Sequence, residues 1–313
     1  LNFWTDKKIL VTGGAGFLGS FIVEKLIREK GVNVENIRVP RSQKLDLRRW
    51  NKCVEAVENI DVVIHLAAKV GGIGFNKQNP ATLFYDNAVM GIQMMEAARQ
   101  QGVKKFVALG TICAYPKYTP VPFKEEALWN GYPEETNAPY GIAKKILLVQ
   151  AQAYRAQYGF NAIYLLPVNL YGPRDNFNPE SSHVIPALIK KMVDAKLAGK
   201  TEVVVWGTGK ASREFLYVED AAEGVLLAAE KYARSDPVNL GVSEEITIKE
   251  LVDLIAKLTG YAGKVLWDDT KPDGQPRRCL DTTKARKEFG FVAKTELVEG
   301  LKKTIDWYSQ NRI

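Results

Sequence analysis

Lys8-Ile-Leu-Val-Thr-Gly-Gly-Ala-Gly-Phe-Leu-Gly19 decides the fold. Its opening run, Lys8 to Thr12, is short and apolar and is stopped by glycines, the pattern of a buried strand. Ile22, Val23, Leu26 and Ile27 then recur at helical spacing. In a strand–glycine turn–helix, such glycines bring the backbone up to a pyrophosphate, and the N–H groups of the helix start face the anion. Gly13, Gly16, Phe17, Leu18 and Gly19 are therefore candidate dinucleotide contacts.

A second strand fits Asn36-Ile-Arg-Val39. An NAD site calls for a carboxylate near its end, to hold the ribose hydroxyls. Here the chain reads Pro40-Arg-Ser-Gln-Lys44. Arg41, with Ser42 and Lys44, suits a 2′-phosphate and points to NADP; a solvated basic loop is the alternative. Asp46, followed by Leu47, is a candidate contact to the adenine edge. Asp61 to Ala68 reads as the next strand, with Leu66, Ala67 and Ala68 leaving room for a cofactor at its end and His65 packed in the core. Lys69 to Gly74 reads as a flexible loop, 81–101 as a long helix carrying Asn87, and Lys105 to Leu109 as a strand that delivers Thr111 to the sheet's carboxyl end.

Tyr140 and Lys144 lie four residues apart in Asn137-Ala-Pro-Tyr-Gly-Ile-Ala-Lys144, on one face of a helix expected over 138–158. Pro139 suits its first turn. An ammonium beside a phenol favours the phenolate, so Lys144 is expected to lower the Tyr140 pKa from its ordinary ~10 and fit it for proton transfer. Alone, the pair also fits an exposed surface; the dinucleotide motif upstream gives it weight.

Of 313 residues, 46% are hydrophobic and 25% charged, ordinary for a water-soluble α/β protein. No apolar run is long enough to span a membrane and no secretory signal pattern is present, so a cytoplasmic location with no membrane partner is expected. Three scattered cysteines fit a reducing compartment, and with two histidines no metal site is expected. The net charge of +7 comes without basic blocks or interleaved aromatics, so no nucleic acid is expected; it fits either a mildly basic surface or attraction to an anionic nucleotide.

Asn161 to Pro167 is a further strand, after which the simple alternation ends. Helices are expected near 186–198, up to 232, and over 247–259 and 294–309, with strands at 203–206 and 237–241. The expected fold is α/β: a doubly wound, mostly parallel Rossmann sheet with a smaller C-terminal substrate lobe. Residues 1–168 with 212–242 are expected to form the cofactor domain, and 169–211 with 243–313 the substrate lobe.

The glycine motif, the Ala67-Ala68 turn, Thr111 and Tyr140-x-x-x-Lys144 together resemble the extended short-chain dehydrogenase/reductase family. That resemblance implies Tyr140 as proton donor, Lys144 on the nicotinamide ribose and lowering the Tyr140 pKa, and Thr111 as hydrogen-bond partner of the reacting oxygen. Within the family the chain is similar to the GDP-L-fucose synthases, through Leu66 to Ile73, Cys113 to Lys117, Asn169-Leu-Tyr-Gly-Pro173, Asp175-Asn-Phe177, Ser182 to Ala187, Val205-Trp-Gly207 and Arg213-Glu-Phe215.

This second resemblance implies C3/C5 epimerisation of GDP-4-keto-6-deoxy-D-mannose, then NADPH-dependent reduction at C4, in a homodimer. It implies Cys113 and His183 as the epimerisation pair, and Asn169, Lys191, Trp206, Arg213 and Arg278 as GDP-sugar contacts. Pro167, Asn169, Leu170 and His183 are implied cofactor neighbours. Thr111 stands where serine is usual, Lys191 where arginine is, and the first glycine loop resembles a generic sugar epimerase. Alternatives are a 4-reductase or 5-epimerase/reductase on another keto-deoxy sugar, an NAD-dependent 4-epimerase, and a non-enzymatic nucleotide sensor.

Overall fold

A computed structural model describes residues 2–271 and 273–312. The first half runs β1 (Ile9–Thr12), α1 (Phe17–Arg28), β2 (Ile37–Arg38), α2 (Trp50–Val57), β3 (Val62–His65), α3 (Ile73–Gln78), α4 (Pro80–Gln100), β4 (Lys105–Leu109), α5 (Ala138–Tyr158) and β5 (Ala162–Pro167). The second half runs β6 (Asn169–Tyr171), α6 (Val184–Leu197), β7 (Glu202–Trp206), β8 (Ser212–Arg213), β9 (Phe215–Tyr217), α7 (Val218–Lys231) and β10 (Val238–Leu240). It ends with β11 (Ile246–Thr247), α8 (Ile248–Thr259), β12 (Lys264–Asp268), β13 (Arg277–Arg278), α9 (Thr283–Phe289) and α10 (Leu297–Gln310).

Six strands form the main sheet in the order β10-β5-β4-β3-β1-β2, every neighbour parallel. The strands β1, β3 and β4 are buried along their whole length, as parallel strands covered on both faces must be. One helical layer packs α1, α7 and α9 together, the other α2, α4 and α5. The chain turns one way from β1 to β2 and the other way from β3 onward, which opens a crevice at the carboxyl ends of β1 and β3. This is the doubly wound parallel sheet expected from the glycine motif.

Thr12 pins that crevice. Its Oγ1 accepts the N–H groups of Leu66 and Ala67, each at 3.2 Å, and lies 2.8 Å from His65 Nδ1. With both lone pairs taken, the hydroxyl donates to Nδ1, so the imidazole is neutral and carries its proton on Nε2. Burial, with Lys144 nearby, depresses the His65 pKa to about 3. His65 is a core histidine, as its place in an apolar strand suggests.

The later elements build a second hydrophobic cluster, in which Ile189 and Met192 of α6, Leu251 and Ile255 of α8, and Leu301 and Ile305 of α10 meet. Phe177 anchors the connection after β6 by stacking on Tyr308, ring centroids 4.6 Å apart. The strands here pair in small sheets, β12 with β7, β6 with β9, and β11-β8-β13. The chain returns once to the main sheet, where β10 lies on β5.

One local expectation is corrected. Residues 69–74 are not a flexible loop: α3 begins at Ile73, and the segment before it is tied down. Asn87 of α4 accepts the Lys69 N–H and donates to the Lys69 carbonyl, both at 2.9 Å. A Cβ at Gly72 would meet the Ser182 carbonyl oxygen at 2.7 Å, so the glycine serves close backbone approach rather than mobility.

Candidate active site

A cleft of about 2560 Å³ runs from the glycine turn across the carboxyl ends of β3 and β4 to β7 and β13. Apart from Lys44, every candidate residue named above for catalysis, cofactor or substrate lines it. At the dinucleotide end, Gly13 has a φ of +72°, and a Cβ there would stand 3.0 Å from the Ala67 backbone nitrogen. No side chain caps the start of α1, which leaves its first N–H groups facing the cleft for an anion. Glycine cradle and uncapped helix start together fit a dinucleotide pyrophosphate. Arg41 is exposed beside them.

Asp46 is already engaged. Both its oxygens accept from Arg48, at 2.9 Å each, and that pairing holds its carboxyl below the usual range. Arg48 also reaches Asp86, 3.4 Å away. Arg48 carried no sequence signal, since its partner on α4 is distant in the chain.

Thr111, Cys113 and Tyr140 form one unit. After β4 the chain makes a 3-10 turn, Ile112–Ala114, capped by Thr111, whose Oγ1 accepts the Cys113 N–H at 3.2 Å. The Tyr140 phenol lies close enough to Thr111 for that hydroxyl to favour the phenolate. The turn sits against α5 at Gly141, where a Cβ would be 2.3 Å from the Cys113 carbonyl oxygen. A helix that offers Tyr140 and, one residue later, no side chain can thus hold phenol and thiol in one small volume.

The expectation for the Tyr140 pKa is corrected. Burial raises the phenol, with the Cys113 sulfur adding to the rise; Thr111 opposes it, and Lys144 makes no contribution. Helical spacing places Lys144 one turn along, but burial of the phenol sets the direction of the shift. Lys144 itself is 2% exposed, and burial brings its pKa down to about 8. Near pH 7 the pair is therefore a neutral phenol and a mostly charged ammonium.

His183 stands at the N-cap of α6, open to the cleft but crowded by its walls, and that desolvation lowers its imidazole. Trp206, 63% exposed, forms a flat wall at the end of β7. Lys191 donates to the Val204 carbonyl, and burial lowers its pKa. Asn169 Nδ2 donates to the Glu214 carbonyl at 3.0 Å. Arg213 donates to the Asp273 carbonyl at 3.0 Å; burial and the neighbouring Arg278 bring its pKa down to about 10. The two guanidiniums repel each other, which an anion bound beside them would relieve.

Two further cleft residues escaped the sequence reasoning. Asp175 has a buried Oδ2 without a partner, and burial lifts its pKa to about 7. Gln275, 5% exposed, donates to the Lys117 carbonyl at 2.7 Å and accepts from Arg278. Asp175 lies in the Asp175-Asn-Phe177 motif, so a signal was present; Gln275 had none.

Among the described residues no helix is long and apolar enough to cross a membrane, and no cluster of three or more His, Cys, Asp or Glu side chains could hold a metal ion.

The profile of the NAD dependent epimerase/dehydratase family matches residues 9–241. GDP-L-fucose synthase 1 of Arabidopsis thaliana is 44% identical, covering 98% of this chain and 95% of that protein. A solved GDP-L-fucose synthetase from Naegleria fowleri with NADP bound superposes with a TM-score of 0.88 at 30% identity, covering 99% of this chain and 96% of that one. A GDP-6-OMe-4-keto-L-xylo-heptose reductase from C. jejuni superposes with a TM-score of 0.91 at 26% identity, covering all of both chains.

Proposed function

The chain belongs to the NAD dependent epimerase/dehydratase family, and from that premise we propose that it acts as a GDP-L-fucose synthase, epimerising GDP-4-keto-6-deoxy-D-mannose at C3 and C5 and reducing it at C4 with NADPH. The observation that carries this reading is the shared placement of Cys113 and Tyr140 around Thr111, a carbon base and an oxygen acid on one turn.

The cofactor is proposed to lie on Gly13, Gly16, Phe17, Leu18 and Gly19, against Leu66, Ala67 and Ala68, with Arg41 at the 2′-phosphate, Asp46 and Leu47 near the adenine, and Pro167, Asn169, Leu170 and His183 near the nicotinamide. Bound there, NADPH supplies the hydride for C4. Lys144 holds the nicotinamide ribose. The neutral phenol of Tyr140 donates its proton to O4, and Thr111 donates to the same oxygen, in place before the charge develops.

Before reduction, Cys113 takes a proton from a carbon next to the 4-keto group: the C–H bond breaks, an S–H bond forms and the electron pair moves to O4. His183 returns a proton to the other face of that carbon. Burial favours the neutral imidazole, so His183 must take up a proton before it can act as this acid. Lys191 and Arg213 bind the diphosphate, Arg278 is a further nucleotide contact, and Trp206 and Asn169 bind the rest of the GDP-sugar.

Residues 1–168 with 212–242 are proposed as the NADP-binding part, and 169–211 with 243–313 as the GDP-sugar part. A cytoplasmic homodimer is proposed too, supported by Phe84, Tyr85 and Ile92 of α4 and Val149 of α5, apolar side chains left exposed on two long helices. Light scattering tests the dimer.

The heptose-reductase likeness favours a second reading, reduction without epimerisation. NADPH oxidation with GDP-4-keto-6-deoxy-D-mannose and other nucleotide 4-keto sugars, with product stereochemistry read by NMR, separates the two. GDP-L-fucose is the expected product; a reduced sugar unchanged at C3 and C5 selects the second reading.

A further inference from the structure

Arg278 sits in the wrong place to be only a nucleotide contact. It is 8% exposed, and its guanidinium Nη1 donates toward the Cys113 sulfur at 3.7 Å, across 165 residues of sequence. Its Nε donates to Gln275 Oε1 at 2.9 Å, and Gln275 Nε2 in turn donates to the Lys117 carbonyl at 2.7 Å. The two bonds of Gln275 leave its amide a single orientation, oxygen toward Arg278 and nitrogen toward the backbone. That relay fixes the planar fork and turns one N–H at the thiol.

We propose that Arg278 is a positioning residue for the carbon base: it pairs with Cys113 through the Gln275 relay and holds the sulfur as a thiolate when a substrate proton is to be taken. The proposal rests on the reading of Cys113 as that base. The physical reason is that a hydrogen bond from guanidinium to sulfur strengthens when the sulfur is ionised, so the arginine favours the nucleophilic form.

From α5 comes the neutral Tyr140, whose phenol feels the sulfur. From β8 comes Arg213, which also feels it, and from β13 Arg278 itself. The carboxylates that answer these guanidiniums, Glu134 before α5 and Asp273 before β13, couple to the arginines. Two cations thus act on the sulfur, and of the two it is Arg278 that hydrogen-bonds it. Arg213 instead spends its N–H groups on the Ser212 and Asp273 carbonyls. Charge and direction together single out Arg278.

The test is iodoacetamide alkylation of Cys113 against pH, without nucleotide, read by mass spectrometry of its peptide. Cys53 and Cys279 serve as internal blanks, since burial pushes both thiols up to about 12. In Arg278→Gln the alkylation profile is expected to move to higher pH, with the rate at pH 7 down about tenfold, the size of one pK unit. Arg278→Lys, which keeps the charge but loses the fork, is expected to recover part of it. Gln275→Ala, which frees the fork, moves the profile the same way by less and keeps the test open if Arg278→Gln does not fold. A profile unmoved in folded Arg278→Gln or Gln275→Ala overturns the proposal, whatever happens to thermal stability, because packing alone does not shift a titration. A moved profile together with undiminished substrate deuterium exchange in Cys113→Ser leaves the pairing standing and removes Cys113 as the base.

Discussion

Replacing Gly141 by alanine isolates the contact that holds the candidate acid and base together. At an ordinary helix-interior site this change stabilises by about 1 kcal/mol. Here the new Cβ would lie 2.3 Å from the Cys113 carbonyl oxygen, 2.9 Å from its carbonyl carbon and 3.2 Å from the Ala114 nitrogen. All three are backbone atoms, so no rotamer change relieves them. To restore ordinary contact the Ile112–Ala114 turn must retreat by roughly 1 Å, and it takes Thr111 with it through the Cys113 N–H bond. A displacement of that size costs about a hundredfold in rate, or about 2.7 kcal/mol of barrier. Overpacking adds a stability loss of about 1–3 kcal/mol, against the helix gain. The assay measures kcat for NADPH oxidation, deuterium exchange into the keto sugar, and NADPH affinity. Both rates should fall together by about a hundredfold, with NADPH affinity within about twofold, since the glycine turn is untouched. Either rate remaining near wild type would refute the idea that Gly141 sets the spacing of Cys113 and Tyr140.

Three further outcomes follow from single groups. Arg41→Ala should reduce the preference for NADPH over NADH, and rising salt should do the same to the wild type, because an arginine–phosphate contact is charge-assisted and exposed; steady-state kinetics with both cofactors at two ionic strengths checks it. Tyr140→Phe should lower kcat for reduction about a hundredfold or more while NADPH titration stays close to wild type, since only the O4 acid is lost. Glu214 is fully buried, accepts the Leu280 N–H at 2.6 Å and the Ser243 N–H at 2.8 Å, and burial lifts its pKa from 4.5 to about 6. A raised carboxyl favours the protonated fold, so its contribution is fully present below about pH 4.5 and about 2 kcal/mol is lost as the pH rises through about 6. Denaturant unfolding from pH 4 to 8 should show that slope, and Glu214→Gln should flatten it while lowering stability throughout, because the amide must turn an N–H toward a backbone donor.

What could be read from sequence was what local spacing controls. The glycine turn needs its glycines because of one backbone angle and one close approach, and Tyr140 and Lys144 need only a helix between them. What could not be read depended on distant neighbours. The state of Tyr140 is decided by burial, which no i, i+4 rule reports. The Arg278–Cys113 contact, the Gln275 relay and the Arg48–Asp86 pair each join segments far apart in the chain. Gly71 and Gly72 looked like loop residues because a glycine packed for lack of space and one placed for mobility are written with the same letter.

The central claim is that this cleft does carbon-acid chemistry as well as reduction. The most direct measurement is the reaction of wild-type protein with GDP-4-keto-6-deoxy-D-mannose and NADPH in D2O, read by NMR at C3 and C5 of the reduced sugar. The account predicts deuterium at both carbons, and almost none on the sugar when Cys113 is replaced by serine. A reduced product without deuterium at either carbon would contradict it, leaving a reductase alone and returning Cys113 and His183 to structural roles.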